Sequence, residues 1–470
     1  MLIGGAWRAG AQTLSLTDPS DGSALAQVAR GSAEDVDAAV HAARDALDGP
    51  WGVMSAVERG RCLARLGRLV EANIDSLAQM EARDVGKPLG QARADAQALA
   101  RYMEFYAGAA DKITGETLPY QAGFTVYTLR EPHGVTGHIV PWNYPMQIIG
   151  RSVGAALAMG NACVLKPAEE ACLTALAFAR LAQEAGMPAG ALNVVPGLGA
   201  EAGAALAAHP GVDHLSFTGS VATGVAVQTA AAGNTVPVTL ELGGKSPQLV
   251  FADADLEAAL PFLVGPGVQN AGQTCSAAAR ILVQRSVFEE VARRMAQAYG
   301  ALEAGPALED HSMGPLISAR QKAIVQGYLA KASPDQVLAQ GQIVAHAPAQ
   351  GHYQRATLLH HVAPDAPLAQ EEIFGPVQVL IPFEDEAEAI ALANGTAYGL
   401  VASVWTESGA RQMRLAKALR AGQVFVNNYG AGGGVELPFG GRGKSGHGRE
   451  KGFEALYGFS ALKTVAVKHG

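Results

Sequence analysis

A cysteine and a glutamate lie in two segments of small residues in this 470-residue chain. Cys275 lies in the run NAGQTCSAAAR, and Glu241 begins the upstream run ELGGKSP. Cysteine attacks electrophiles as its thiolate, and a free thiol, with a pKa of about 8.5, ionises readily only beside a cation or a helix terminus. The small polar neighbours of Cys275 let a substrate approach its sulfur. The two residues predict a thiol nucleophile with a carboxylate base.

The other three cysteines fit a structural interpretation. Cys62 lies in an apolar helical pattern, Cys163 in the strand-like run ACVLKP, and Cys172 at the start of the next helix. Free cysteine is among the most buried residue types. Four cysteines without a CxxC pair fit a reducing compartment, and the N-terminal run MLIGGAWRAG lacks the features of a signal peptide. We therefore predict a cytoplasmic protein.

The composition favours a small-molecule substrate. The formal net charge is −8 and no basic block is present, which argues against a nucleic-acid or anionic-membrane partner. Residues 214–240 and 258–279 are uncharged and long enough to span a membrane. Glycine, proline and polar residues interrupt both stretches, so we interpret them as buried segments of an enzyme.

Apolar runs alternate with helical patterns in two regions of the chain. Between residues 135 and 240 the runs are VTGHIV, ACVLKP, LNVVPG, HLSFTG and PVTLEL, and a second alternating region begins near Lys245. Strands separated by helix-length segments predict parallel sheets with crossover helices. The sequence therefore predicts the α/β class, with two doubly wound α/β domains.

Other segments carry helix and ribbon signals. Ser32 and Asp35 have the spacing of a capping box before an early helix, and a longer helix is predicted from about residue 56 to 85. Residues 125–130 and 462–468 alternate as exposed or edge strands do. We expect these two ribbons to pair between subunits.

A weak nucleotide-binding signal follows the strand HLSFT. Gly219, Ser220 and Gly224 are spaced to begin a helix whose N-terminal amides could face a phosphate, although the pattern is not GxGxxG. Lys166 and Glu169 end the strand ACVLKP, at the edge where doubly wound sheets bind ligands. They could hydrogen-bond ribose hydroxyls, or they could form a solvated helix start.

Seven ordered motifs resemble those of the aldehyde dehydrogenase superfamily, in its NAD(P)-dependent, non-acylating branch. The similarity spans essentially the whole chain, and so many motifs in one order are far more specific than any single motif. The motifs are PWNYP at 141–145, KPAE at 166–169, FTGS at 217–220, ELGGKSP at 241–247, GQTCS at 272–276, EEIFGP at 371–376 and PFGG at 438–441.

The resemblance implies a mechanism for three residues. Cys275 attacks the aldehyde carbon, and the Asn143 side-chain amide with the cysteine's own N–H holds the oxyanion. Hydride transfer to the nicotinamide leaves a thioester, which a water activated by Glu241 hydrolyses to the acid. Without the resemblance, Asn143 would be interpreted as a turn residue and Glu241 as a solvated strand end.

The resemblance also implies a cofactor and a domain plan. NAD is expected, with NADP less favoured, because a carboxylate at Glu169 would repel a 2′-phosphate. A Rossmann-like NAD-binding domain is expected at 1–115 and 133–243, a catalytic domain at 244–443, and a small oligomerisation ribbon at 116–132 and 455–470 of a homodimer or homotetramer. The expected cofactor contacts are Trp142, Lys166, Glu169, Gly219, Ser220, Glu372 and Phe374; no metal site is expected.

Two residues are assigned to the substrate funnel. Arg151 lies eight residues beyond Asn143, on one helical face, and Tyr144 lies in the PWNYP motif. Arginine at a similar position occurs in succinic semialdehyde dehydrogenases, and a guanidinium can bind a carboxylate bidentately. This favours an aldehyde with a distal carboxylate; the alternative is an arginine paired with a neighbouring acid. Residues 432–434 predict a mobile loop at the funnel mouth.

Three alternative functions stay open. A CoA-acylating relative would resolve the thioester with a thiol, but such enzymes usually lack the carboxylate at Glu241. A non-catalytic binding or structural protein on the same fold would have no need of Cys275, Asn143 and Glu241 together. A hydrolytic thiol esterase would not need Lys166 or a nucleotide site.

Overall fold

A computed structural model describes residues 1–430 and 434–470 of the chain. The strands in this part of the chain are β1 Leu2–Ile3, β2 Ala6–Trp7, β3 Gln12–Thr17, β4 Ala24–Arg30, β5 Thr117–Leu118, β6 Phe124–Pro132, β7 Val135–Val140, β8 Ala162–Pro167, β9 Leu192–Val194, β10 His214–Thr218, β11 Val238–Glu241, β12 Pro247–Val250, β13 Arg280–Gln284, β14 Glu303–Ala304, β15 Val337–Gln340, β16 Gln342–Ile343, β17 Thr357–Leu359, β18 Val377–Phe383, β19 Val401–Trp405, β20 Gln423–Val426, β21 Gly446–His447 and β22 Ser460–Lys468.

The α-helices of the same residues alternate with these strands. They are α1 Ala33–Asp48, α2 Ala56–Ala72, α3 Ile74–Val85, α4 Leu89–Ala109, α5 Pro145–Met159, α6 Leu173–Glu184, α7 Ala204–Ala207, α8 Val221–Ala232, α9 Leu256–Val268, α10 Phe288–Gly300, α11 Ala319–Leu329, α12 Pro367–Gln370, α13 Glu386–Asn394, α14 Gly409–Ala418 and α15 Gly452–Gly458.

Two large sheets organise the molecule. The first has the order β2-β1-β9-β8-β7-β10-β11-β21, and its five strands from β9 to β11 are parallel. The second has the order β15-β17-β18-β13-β12-β19-β20, parallel from β17 to β20. In both, the strand order departs from the chain order, which is the doubly wound pattern. The predicted fold class is confirmed.

Each large sheet is covered by its own apolar core. All six residues of β7 and all six of β8 are buried, which explains why these strands form continuous runs instead of an alternating pattern. The buried apolar residues around the first sheet form one cluster, and those around the second form another. The strands of the first sheet lie within 2–241 and 446–447, and those of the second within 247–426.

The long uncharged stretches fold into ordinary elements. Residues 214–240 form β10, α8 and most of β11, and residues 258–279 run from α9 into the cysteine loop. Pro261 and Pro266 lie inside α9. No helix in the described part of the chain is both long and apolar enough to cross a membrane.

The N-terminal helices differ in one respect from the sequence prediction. The capping box of α1 is present, with Ser32 and Asp35 in reciprocal hydrogen bonds. The single long helix predicted over 56–85 is wrong, because it is two helices that break at Asn73 (φ −113°, ψ 14°). The Asn73 side-chain amide donates to the Leu69 carbonyl at 2.8 Å, a local bond that competes with helix continuation.

The two predicted ribbons belong to one small sheet. β22 pairs antiparallel with β6 over nine residues, from Ser460 opposite Pro132 to Lys468 opposite Phe124, and β5 pairs with the other side of β6. The ribbons therefore pair with each other inside one chain. β22 lies at the edge of this sheet, and nearly all its residues are exposed.

Candidate active site

A cavity of about 530 Å³ brings together every residue that the sequence assigned to a site. It lies at the carboxyl ends of β7, β8, β10 and β11 and is closed from the other side by the cysteine loop and by residues 372–374. The twelve assigned residues that line it are Trp142, Asn143, Tyr144, Arg151, Lys166, Glu169, Gly219, Ser220, Glu241, Cys275, Glu372 and Phe374.

A strained loop presents Cys275. Residues 270–272 all have left-handed φ angles, 49°, 53° and 73°, which only glycine adopts freely. The Asn270 side-chain amide donates to the Asn143 carbonyl at 3.0 Å and holds the loop against the end of β7. Gln273 donates its own amide back to the Asn270 carbonyl at 3.0 Å. The loop is therefore fixed around a partly exposed cysteine.

Asn143 and Tyr144 immediately precede α5. The Asn143 side-chain amide donates one hydrogen bond to the Gln273 carbonyl at 3.0 Å. A primary amide has two N–H donors, so a second one can serve an oxyanion. The Tyr144 hydroxyl lies 3.0 Å from the Thr274 hydroxyl, next to the cysteine. Both residues thus position the segment that carries Cys275.

Glu241 ends β11 in a buried setting. Its two carboxylate oxygens are buried and have no hydrogen-bond partner among the described residues. A Cβ on Gly440 would come within 2.8 Å of its Oε1, so glycine there leaves the carboxylate its room. Burial, then the negative charge of Glu450, raises the pKa of Glu241 well above its usual range, while Arg151 opposes the rise. The carboxyl is poised to exchange a proton with a group that enters the cavity.

Burial controls the ionisation of Cys275 as well. It raises the pKa of the thiol to about 12, with Arg151 opposing the rise and Glu372 and Glu241 adding to it. The free protein therefore holds a neutral thiol at neutral pH. The thiol therefore has to lose its proton when the sulfur reacts.

Arg151 lines the cavity but is already paired. Its Nε contacts the Glu450 carboxylate, its Nη2 donates to the Thr218 hydroxyl at 3.3 Å, and its guanidinium lies 4.9 Å from the centre of the Phe439 ring. Glu450 is itself buried and accepts the Ser216 hydroxyl at 2.8 Å. The structure thus shows the second of the two interpretations left open for Arg151, an arginine paired with a neighbouring acid.

The opposite half of the cavity has groups suited to a nucleotide. The Lys166 ammonium lies 3.0 Å from the Glu169 carboxylate at the end of β8. Ser220 caps α8 by accepting the N–H of Thr223 at 3.3 Å, and the first turn of α8 contains no acidic residue. A helix N-terminus with this composition attracts anions. A Cβ on Gly219 would lie 2.6 Å from the Phe217 ring, so this turn needs glycine.

Glu372, Phe374 and Trp142 form the remaining wall. Glu372 accepts the N–H of Gly244 at 3.2 Å, and burial raises the pKa of its carboxyl to about 7. Phe374 adopts a left-handed φ of 55°, held by a hydrogen bond of 2.8 Å from Gln321 to its carbonyl. The Trp142 ring meets the Phe374 ring edge to face, with centroids 5.4 Å apart.

Several lining residues were not found from the sequence. Tyr102, Gln147 and Glu450 line the cavity or contact Arg151. Gln147 could have been found, because it lies midway between Asn143 and Arg151 on one helical face. Tyr102 follows an apolar helical pattern typical of core, and Glu450 lies in a glycine-rich segment far along the chain, so neither has a local signal. Of residues 432–434, the first two lie outside the described residues.

Known proteins with similar sequences and structures share one family. A model of the aldehyde dehydrogenase family matches residues 7–465. The Arabidopsis thaliana protein named aldehyde dehydrogenase family 2 member B4, mitochondrial, is 43% identical over 98% of this chain and 86% of its own length. A Burkholderia cenocepacia crystal structure, provisionally described as an aldehyde dehydrogenase, has 65% identity and a TM-score of 0.98, covering 100% of this chain and 99% of the other.

A second solved structure was determined with a dinucleotide. It is the NAD⁺ complex of an aldehyde dehydrogenase from Bacillus cereus, 39% identical, with a TM-score of 0.97 over 100% of this chain and 96% of that one. The family model, the relatives and the solved structures all indicate the same family as the sequence motifs that line the cavity. The chain belongs to the aldehyde dehydrogenase family.

Proposed function

We propose that this protein oxidises an aldehyde to the carboxylic acid with NAD as the hydride acceptor. The observation that carries the proposal is the convergence of Cys275, Asn143 and Glu241 with the nucleotide-type wall in one cavity. A cavity of this kind with perturbed titratable groups is the expected setting of catalysis.

The residues on the nucleotide-type wall fit a dinucleotide. The N-terminus of α8 after Gly219 and Ser220 suits the pyrophosphate, and Lys166 with Glu169 suits the adenosine ribose. Glu372 and Phe374 would hold the nicotinamide side. When bound, NAD supplies the acceptor for the aldehyde hydride. The carboxylate of Glu169 disfavours a 2′-phosphate, and the Bacillus cereus relative was solved with NAD⁺.

The chain's own groups account for the bond changes at the aldehyde. The Cys275 sulfur forms a bond to the carbonyl carbon as the thiol passes its proton to water in the cavity, and the carbonyl oxygen becomes an oxyanion that the second Asn143 N–H stabilises. Loss of hydride from this adduct leaves a thioester. Glu241 then takes a proton from water as the water attacks the thioester carbon, and it returns that proton to the departing sulfur, which releases the acid and the thiol.

The surroundings of Glu241 favour hydrolysis over acyl transfer to a thiol. Both oxygens are free of partners among the described residues, and the raised pKa makes the carboxylate a stronger base than a solvated one. A CoA-acylating enzyme would have no use for such a base. The same proposal explains why Cys275 sits beside nucleotide-binding groups, which an esterase would not need.

Two variants test the mechanism. Cys275→Ala should reduce aldehyde-dependent NADH formation by at least about a thousandfold while NAD binding, followed by fluorescence quenching, persists. Glu241→Gln should still form one equivalent of NADH per site in a burst and then stop, with the thioester detected by mass spectrometry. Cys62→Ala, which removes a core thiol outside the cavity, should keep its activity. Steady turnover in Cys275→Ala, or steady turnover without a burst in Glu241→Gln, would contradict the proposal.

The role of Arg151 is tested separately with aldehydes of matched length. Because Glu450 neutralises its guanidinium, we propose that Arg151 holds Glu450 and tunes the two reacting groups, and that it does not select a substrate carboxylate. Arg151→Met should then lower kcat/KM for neutral and carboxylate-bearing aldehydes by the same factor. A selective loss of the carboxylate-bearing substrates would instead establish a semialdehyde enzyme.

A further inference from the structure

Three side chains outside the cavity place metal-binding atoms together. Glu309, His311 and His346 each offer one ligand atom, and these atoms lie within 4.8 Å of one another. Glu309 Oε2 lies 3.0 Å from His311 Nε2 and 2.7 Å from His346 Nε2. Within residues 1–430 and 434–470, this is the one group of His, Cys, Asp or Glu that meets this criterion.

The two distances to Glu309 can be compared with those in a tetrahedral zinc site, and the two histidine nitrogens lie within 4.8 Å of each other. Zinc binds imidazole nitrogen and carboxylate oxygen at about 2.0–2.2 Å, so two ligand atoms lie about 3.4 Å apart across the metal. The two distances to Glu309 are shorter than that by about 0.7 Å or less. Glu309 and His346 are exposed, so small side-chain rotations can open the group to admit a metal.

The His311 ring is oriented by a carboxylate on its second nitrogen, as the rings of metal-binding histidines often are. Its other ring nitrogen, Nδ1, lies 3.5 Å from the Glu303 carboxylate. A metal at Nε2 requires the hydrogen on Nδ1, and Glu303 is placed to accept it, as carboxylates do behind many ligating histidines. The ring also packs against Gly305, where any Cβ would collide with it.

The backbone brings the ligands together without a metal. Glu303 begins β14, which pairs in parallel with β16, and the residues after each strand carry the ligands. The Gly305 N–H donates to the Met313 carbonyl at 3.0 Å, and the Val344 N–H donates to the Ala304 carbonyl at 3.0 Å. The group is therefore largely preformed, and binding need not pay for folding of the segment.

We propose that Glu309, His311 and His346 bind one divalent transition metal of the zinc type, with water in the fourth position. Two imidazoles and one carboxylate suit zinc, nickel or copper better than magnesium or calcium, which prefer oxygen ligands alone. The dipositive ion balances the charges of Glu309 and Glu303. The metal ties the segment after β14 to the segment after β16.

The proposed metal site lies in a loop that contacts helices α3 and α4. The Asp310 carboxylate accepts the N–H of Gly90 at 2.7 Å, at the start of α4. Ala307 packs in a small apolar cluster with Ala78, Ala82 and Ala92, on α3 and α4. Metal binding fixes the loop that makes these contacts, so it should raise Tm.

Zinc titration of the full-length protein tests the proposal. Isothermal titration is done in a Cys275→Ser background, so that the active-site thiol does not bind the metal. We expect one equivalent per chain with a dissociation constant in the low micromolar range or tighter, and visible ligand-field bands of tetrahedral cobalt when Co²⁺ is used instead. His346→Ala and Glu309→Gln should lose this equivalent, and Glu303→Gln should weaken it about tenfold or more.

A second histidine pair supplies the matched control. His41 and His209 both contact Asp37, at 3.3 and 3.2 Å, but through opposite carboxylate oxygens, so their ligand atoms do not converge. His41→Ala should leave the zinc stoichiometry, the affinity and the zinc-induced rise in Tm unchanged. Unchanged zinc binding in His346→Ala, loss of the equivalent in His41→Ala, or no binding by the parent protein would each overturn the proposal.

Discussion

At the scale of single residues, nearby charges have opposing effects on the pKa values of the two reacting groups in the cavity. Burial raises the pKa of both Glu241 and Cys275, and Arg151 is a cation that opposes the rise in both cases. Glu450 binds Arg151 and adds to the rise in the pKa of Glu241. Arg151 and Glu450 therefore influence the ionisation of the reacting groups, although they neither react nor belong to the recognised motifs.

This arrangement predicts the pH dependence of thioester hydrolysis. A base works only when ionised, and because the pKa of Glu241 is raised, its ionised fraction grows as pH rises through that raised value. Glu450→Gln removes a negative charge, so it lowers the pKa of Glu241 and should move the rising limb of the kcat profile to lower pH. Single-turnover hydrolysis measured from pH 6 to pH 10 checks this.

The control for this shift is Glu454→Gln on α15, which removes an exposed carboxylate nearby in sequence. Its profile should match that of the parent protein. A rising limb that stays in place in Glu450→Gln, or moves to higher pH, would show that Glu450 does not tune the base.

At the scale of elements, the buried carboxylate of Asp84 connects helices α3 and α6. The Asp84 carboxylate at the end of α3 accepts the N–H of Leu173 at the start of α6, at 2.9 Å, while its other oxygen is buried without a hydrogen-bond partner. Burial raises the pKa of Asp84 from 3.8 to about 7. The folded protein therefore binds a proton here that the unfolded chain releases near pH 4.

The proton at Asp84 makes stability depend on pH. Since the folded pKa is the higher one, its contribution is fully present below about pH 4 and is lost as pH rises towards about 7. Asp84→Asn cannot titrate but keeps an acceptor for Leu173. Relative to this variant, the parent should lose on the order of 4 kcal/mol between these limits, measured as a widening Tm difference. Asp45→Asn, an exposed change on α1, should show no such trend.

At the scale of the whole molecule, the three-stranded sheet is poorly covered by its own chain. Leu462 is 57% exposed and Val467 is 45% exposed, both on the edge strand β22, and Leu129 on β6 is 40% exposed. Exposed apolar residues on a long edge strand favour pairing with another chain. That residues 116–132 and 455–470 serve oligomerisation stays a prediction, and β6 and β22 already pair within the subunit.

A charge on the edge strand tests the predicted oligomer. Leu462→Asp should shift the protein towards smaller species in sedimentation velocity, because it places a charge where an apolar contact is expected. Met413→Asp changes a residue that is 64% exposed on α14 and should leave the sedimentation coefficient unchanged. An unchanged coefficient in Leu462→Asp would remove β22 from the subunit interface.

The sequence by itself determined the α/β class, the five parallel strands of the first large sheet and the motifs that carry most of the assigned residues around the cavity. Those features depend on local signals: continuous apolar runs for buried parallel strands, and small residues where backbone must approach closely. The break at Asn73 has no comparable pattern in the sequence, because it accompanies a single side-chain hydrogen bond to the Leu69 carbonyl.

Only the tertiary structure decided how the assigned groups interact. The pairing of Arg151 with Glu450, about 300 residues apart in the chain, could not be read from spacing, and it changed the interpretation of the arginine. The neutral state of Cys275 likewise depends on burial by segments from several elements. Motifs fix which side chains are present, whereas ionisation and pairing follow from the distances and desolvation that packing creates.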